Sequence, residues 1–300
     1  MTLALDRYAR PAALHQHRFG EHRLTYLPDG VAYLDPHAWL PDATDEIWDA
    51  HAHLINPDGW LVASVGALLI EYRDHTLLID AGFGPMALPT PFGLIRGGEL
   101  VRSLDTAGKQ PDDIDAIALT HLHLDHIGWL WQPGSPFTNT PVLVGDIEWH
   151  HRHLAATDGV TSEILDTFAD RVRTITDHQQ VAPGIHATTT PGHSLGHLTY
   201  TLTTARHRVI AFGDALQTPV QIRRPELTSA LDDDPDASRT TARRLVDDLS
   251  TPGTLGFGTH FADTQLGRVT TTPTGTRTWQ PHTSGQQPPA RPDRWRRGVL

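Results

Sequence analysis

Thr120-His121-Leu122-His123-Leu124-Asp125-His126-Ile127-Gly128 places three imidazoles and one carboxylate within six residues. His121 and His123 alternate with leucines, as at the end of a strand, and Asp125 and His126 follow where the chain must turn. Imidazole nitrogen and carboxylate oxygen are ordinary ligands of zinc and similar borderline metals. Four such groups are too many for one tetrahedral site that also keeps an open position. They suit two neighbouring metals, His121 and His123 serving one, Asp125 and His126 the other. The preceding stretch, Ile114-Asp115-Ala116-Ile117-Ala118-Leu119-Thr120, is apolar and β-capable. It predicts a buried strand that delivers the ligands on the loop leaving it. The plainer alternative is a solvated His-rich loop, but the rest of the chain supplies partners.

Downstream, a β-like stretch at 185–190 runs into Pro191-Gly192-His193-Ser194-Leu195-Gly196-His197. The same logic holds there: a strand ends, a turn follows, and His193 is presented as the third nitrogen for the first metal. His197 reads as a packed or hydrogen-bonding histidine. Strands at 198–203 and 208–212 lead to Gly213-Asp214-Ala215, which makes Asp214 the carboxylate placed to bridge two metals. The strand at 254–259 ends at His260-Phe261, and His260 completes the second set. Upstream, 61–72 and 76–79 read as two strands joined by a turn at Arg73-Asp74-His75. The second ends in Asp80, which either orients a ligand histidine or bonds within its own turn. Residues 86–96 read as a proline- and glycine-punctuated loop bordering a pocket, and 98–107 as a helix. Asp146 is expected to cap a helix carrying His150, His151 and His153, which read as a solvated face. The acidic run 232–236 reads as a solvated linker before a helix at 237–249.

The division expected is an extension over 1–58 with short strands, a catalytic domain over 59–272 and a tail over 273–300. His51 and His53 form an HxH with no carboxylate close behind and read as structural or surface groups. In the tail, Ser284 to Leu300 is expected to be mobile, its arginines a contact for another subunit. A net charge of −11 disfavours nucleic acid. No stretch approaches the roughly 18 apolar residues of a membrane span, so no membrane partner is expected. No cysteine is present, which rules out disulfides, Cys-ligated zinc and a cysteine nucleophile. The start of the chain lacks the pattern of a signal peptide, and the default expectation is a cytoplasmic protein, open to homodimer formation through 86–96 and the extension.

His121-x-His123-x-Asp125-His126, then His193, Asp214 and His260, each at a strand end, resembles the metallo-β-lactamase superfamily from about Trp60 to His260, and Asp80 is similar to its first acidic motif. The resemblance implies an α/β (α+β) fold, an αββα sandwich of two mixed β-sheets flanked by helices. It implies a dinuclear hydrolase similar to N-acyl homoserine lactonases and methyl parathion hydrolase-like enzymes, with two Zn2+ or, on the same ligands, Fe, Co or Mn. A metal-bridging hydroxide would cleave a lactone or other carboxylic ester, with Asp125 relaying a proton. Several lactonases carry a tyrosine three residues after the bridging aspartate. Here Gln217 stands there, expected to donate a hydrogen bond in its place. True β-lactamases commonly have cysteine where this chain has Asp214, so a penicillin-degrading role is not expected.

Phe83, Phe92, Trp129, Trp131 and Phe261 flank the motifs and either line an apolar pocket or pack as core; together they favour a small, neutral or acyl-bearing substrate. The competing readings are a phosphotriesterase or thioesterase of the same fold, a diiron oxidoreductase, and a non-catalytic binding module.

Overall fold

The apolar run at 61–72 forms one unbroken strand because both of its faces are buried. Leu68 and Ile70 point into one core, Ala67 and Leu69 into another. Alternation of this kind, apolar on both sides, is what a sheet covered on two faces requires.

The computed structural model describes residues 6–282. Its strands are β1 (His15–Phe19), β2 (His22–Leu34), β3 (Leu61–Tyr72), β4 (His75–Ile79), β5 (Ala87–Thr90), β6 (Gly93–Arg96), β7 (Ala116–Ala118), β8 (Val142–Gly145) and β9 (Val172–Ile175). They continue with β10 (Gln180–Ala182), β11 (Ile185–Thr189), β12 (Leu198–Thr203), β13 (Arg208–Ala211), β14 (Thr254–Phe257), β15 (Leu266–Thr271) and β16 (Arg277–Pro281). Four helices carry the argument below: α1 (Leu100–Thr106), α2 (Leu124–Trp131), α3 (Asp146–His150) and α4 (Pro235–Leu249).

Among the described residues, nine strands form a first sheet in the order β5-β6-β2-β3-β4-β7-β8-β9, with β1 paired to β2. Seven form a second, β10 to β16 in chain order. Both are mixed. The first turns parallel from β4 through β9, and the second is antiparallel except where β13 meets β14. Leu77 and Ile79 of β4 share the core between the sheets with Val209 and Ala211 of β13 and Leu255 and Phe257 of β14. Leu78 and Ile117, on the opposite pleat, pack under α1 and α2 through Leu100, Leu104, Ile127 and Leu130. Ile210 does the same for the second sheet, under Leu245, Val246 and Leu249 of α4. The result is the αββα sandwich.

Several expectations are corrected. Residues 22–34 are not a short strand of an extension but a 13-residue strand, paired with β3 from Arg23–Glu71 to Leu34–Leu61. Pro28-Asp29-Gly30 breaks the alternation there, and the register shifts at that point. The loop expected at 86–96 contains the β5–β6 hairpin, added to the edge of β2. Asp146 is inside α3, which Gly145 precedes, and its carboxylate accepts from the adjacent Ile147 N, so it is not the cap. The expected boundary at 272/273 is bridged by pairing of β15 with β16. Ser284 to Leu300 lies outside the described residues. Among the described residues, no helix is long and apolar enough to cross a membrane.

Candidate metal centre

Every candidate ligand leaves a strand at the same end of the sandwich. His121 and His123 follow β7, Asp125 and His126 open α2, His193 follows β11, Asp214 follows β13 and His260 follows β14. The structure brings all seven together. Three groups have ligand atoms within 4.8 Å of one another: His121, His123 and His193; His121, His126 and Asp214; Asp125, His126 and His260.

The contacts inside the cluster are between groups that ordinarily avoid each other. His193 Nε2 lies 3.0 Å from His123 Nδ1, and His260 Nε2 lies 3.3 Å from His126 Nε2. Their remote nitrogens are already engaged. His126 Nδ1 is 2.9 Å from Asp80 Oδ2, His193 Nδ1 is 2.9 Å from Asp232 Oδ1, and His260 Nδ1 is 2.8 Å from Ser64 O. Each donates its Nδ1–H outward, so Nε2 faces inward and offers a lone pair once its proton gives way to a cation. Asp214 faces both groups at once. Its Oδ1 is 3.2 Å from His126 Nε2 and 3.1 Å from His260 Nε2, and its Oδ2 is 3.4 Å from His193 Nε2. Among the described residues, buried His121 Nε2 has no hydrogen-bond partner. Inward lone pairs around a carboxylate fit divalent cations, and five imidazoles with two carboxylates are the donor set of a borderline metal.

The field has the matching sign. Burial opposes charge on His126, but Asp214, Asp80 and Asp125 outweigh it and hold the ring well above its ordinary value. Burial likewise opposes charge on His260, and Asp214 and Asp125 raise it to about 9. Asp214 is held well below the usual carboxylate range by His260 and His126, against its burial. His121, with desolvation dominant and histidines around it, is pushed well below its ordinary value. Three carboxylates thus hold positive charge in a buried place, and protons and cations compete for it.

Asp80 settles between its two readings. It sits at φ +62, and its carboxylate accepts from Thr120 N (2.8 Å) and Thr120 Oγ1 as well as from His126. His197 is buried and pushed by desolvation to about 3, so it is neutral. Its Nδ1 meets Thr190 Oγ1 at 2.9 Å, and its Nε2 accepts from Asp214 N at 3.0 Å. Gly213 allows that approach: a Cβ there would lie 2.8 Å from His197 Nε2, and φ is +48.

Gln217 lies beside Asp214 and His193. It is 2% exposed, and its Nε2 is 3.3 Å from Asp214 Oδ2 and 3.1 Å from His193 Nδ1. Gln217 N and Thr218 N both donate to Gln221 Oε1, which turns the segment inward. The flanking aromatics are packed. Phe83 and Phe261 are buried, Trp129 and Trp131 pack against the α1–α2 layer, and Phe92 stacks edge-on against Trp39. The cleft that borders His123 is lined instead by Leu154, Asp158, Leu195 and Asp233, among others.

Three acids were not legible as part of this centre, and a fourth, Asp29, was not legible as the anchor of the backbone at 83–84 and 98–100. Asp232 belongs to the run expected to be a solvated linker, yet its side chain is 5% exposed and holds His193. Asp158 reaches 3.5 Å from His123 Nε2. Glu148 is buried between the two histidine loops. Asp29 is buried and accepts from Phe83 N, Gly84 N, Gly98 N, Leu100 N and Trp129 Nε1. Asp29 alone had a sequence signal, the Pro28-Asp29-Gly30 interruption inside an apolar strand. His51 and His53 fit the expectation of structural or surface groups: half-buried His51 bonds Ile47 O through Nδ1, and exposed His53 lies edge-on against Tyr8.

The chain belongs to the metallo-beta-lactamase superfamily, which residues 62–255 match. It is 27% identical over 192 residues to the N-acyl homoserine lactonase AiiA of Bacillus thuringiensis subsp. kurstaki, a match covering 58% of this chain and 68% of that protein. Its fold is similar to that of AidC, a dizinc quorum-quenching lactonase, with TM-score 0.79 and 20% identity over 92% of this chain and 99% of the other. The hydrolase AbOPH of the β-lactamase superfamily superposes with TM-score 0.78 and 24% identity, over 92% and 100% of the two chains.

Proposed function

We propose that this chain is a hydrolase that uses two divalent metal ions, zinc by preference, to cleave a lactone or other carboxylic ester. The observation that carries the reading is Asp214, whose two oxygens face two separate groups of inward-turned imidazoles. His121, His123 and His193 would hold one ion, Asp125, His126 and His260 the other, with Asp214 shared. Bound there, the ions would supply a water-derived nucleophile near neutral pH and an electrophile for the substrate oxygen.

The protein's own groups do the rest. Asp80, Asp232 and the Ser64 carbonyl fix which imidazole nitrogen faces inward. His197 fixes the backbone at Asp214. Gln217 donates to Asp214 Oδ2 and acts as a positioning residue. Asp125, with 21% of its side chain exposed, is the most open of the seven and is placed to pass a proton to a leaving group. Kinship with AiiA supports an ester or lactone substrate over other hydrolysable bonds.

The test is hydrolysis by zinc-loaded protein across short- and long-chain acyl homoserine lactones, aryl esters, an acyl thioester and an aryl phosphotriester. The expected result is lactone or ester turnover that chelation abolishes and zinc restores. Phosphotriester turnover far above ester turnover would transfer the protein to the other hydrolase class. Turnover indifferent to chelation would end the metal reading.

A further inference from the structure

The two loops that carry His121, His123 and His193 come from different sheets and are joined at their base, where Leu198 N donates to Thr120 O at 2.8 Å. One side chain outside both loops touches each. Glu148 of α3 is 6% exposed. Its Oε1 accepts from Leu122 N at 3.0 Å, the amide between His121 and His123. Its Oε2 accepts from Ser194 Oγ at 2.8 Å and from Gly196 N at 2.9 Å, on the loop that presents His193. The chain is shaped to allow this contact. A Cβ on Gly196 would lie 2.2 Å from Glu148 N, so only glycine lets the loop rest against α3.

We infer that Glu148 is the positioning residue of the first metal triad: it sets the gap across which His193 Nε2 meets His123 Nδ1. The inference rests on the two-metal reading above. Three donors converge on one carboxylate, and only an acceptor at both oxygens satisfies them. A glutamine of the same shape cannot. If its carbonyl faces Ser194 and Gly196, its NH2 group faces the Leu122 N–H, two donors head to head in a buried place. The loops must then separate. Among the described residues, the Glu148 carboxylate bonds only Leu122, Ser194 and Gly196 and none of Asp125, His126 and His260, so the effect belongs to one site.

The experiment is a competition titration of metal-free protein with zinc against a chromophoric chelator, for the unaltered chain, Glu148→Gln and Ser194→Ala. Metal-free melting temperature is read alongside. Two zinc ions are expected in the unaltered chain. Glu148→Gln is expected to weaken one of the two by roughly 10- to 100-fold and leave the other unchanged. Ser194→Ala, which removes one bond of three, is expected to weaken the same site by less, and it serves alone if Glu148→Gln does not fold. Unchanged affinity at both sites, or an equal loss at both, overturns the positioning role. Fewer than two zinc ions in the unaltered chain overturns the two-metal reading, and this inference with it.

Discussion

At the scale of single residues, the centre is organised by groups that never need to touch a metal. Asp80 is the plainest case. One oxygen holds the Thr120 amide and the other His126 Nδ1, from a backbone at φ +62 that Asn also tolerates. Asp80→Asn should therefore fold but no longer present an acceptor on both sides. The expected outcome is zinc affinity at the His126 site lowered by roughly 10- to 100-fold, read by chelator competition. Equal affinity in the variant would reduce Asp80 to a turn residue. Asp214 differs in kind, because its two oxygens face both groups, and no neighbour can substitute for it.

At the scale of elements, α2 decides whether Asp125 and His126 face inward. The helix lies against the loop after β4, with Gly128 N donating to Gly82 O at 2.7 Å and Trp129 N to Ala81 O at 3.1 Å. A Cβ on Gly128 would lie 2.0 Å from the backbone of Phe83, which has no room to yield. Gly128→Ala should force helix and loop apart and cost about 1–3 kcal/mol, seen as a lower melting temperature of the metal-free protein. Wild-type melting would mean that the loop moves freely. Strand ends were readable because apolar alternation stops where the ligands begin, at Thr120, Thr190 and Thr259. The β5–β6 hairpin was not readable, since its strands are four residues each and interrupted by Pro89.

At the scale of the whole molecule, the two sheets meet at an edge built partly of histidine. His17 of β1 lies 5.2 Å from the ring of His15 and 5.3 Å from that of His282, just past β16. Burial pushes His17 down to about 3, with His15, His282 and Arg7 adding to the shift. A folded pKa below the unfolded value of about 6.5 means that the unfolded chain binds more protons between the two. The stability at stake is present above pH about 6.5 and lost as the pH falls toward 3. His17→Phe, stacking on Phe19 as His17 does, should remove this share of the acid sensitivity. The expected gain over the unaltered chain is on the order of 1–3 kcal/mol at pH 4 and little at pH 8, read from urea unfolding. Parallel stability curves across that range would show that His17 does not titrate on unfolding.

The sequence by itself marked the candidate ligand set, and the architecture around it followed from the resemblance those residues carry. Metal chemistry demands particular residue types, strand ends supply rigid places for them, and both leave marks at short range: His-x-His-x-Asp-His, Pro-Gly-His, Gly-Asp, and a strand closing on His260. Tertiary structure alone decided what holds those ligands in place. Glu148, Asp232 and Asp158 carry no spacing signal, because an acid in a short helix or an acidic loop looks the same whether it faces water or a histidine. Gln217 stands at a motif position, but its bond to Asp214 Oδ2 and the bond of its own amide to Gln221 carry no mark in the sequence. Such roles depend on groups far apart in the chain meeting across two sheets, and only the packed core between those sheets brings them together.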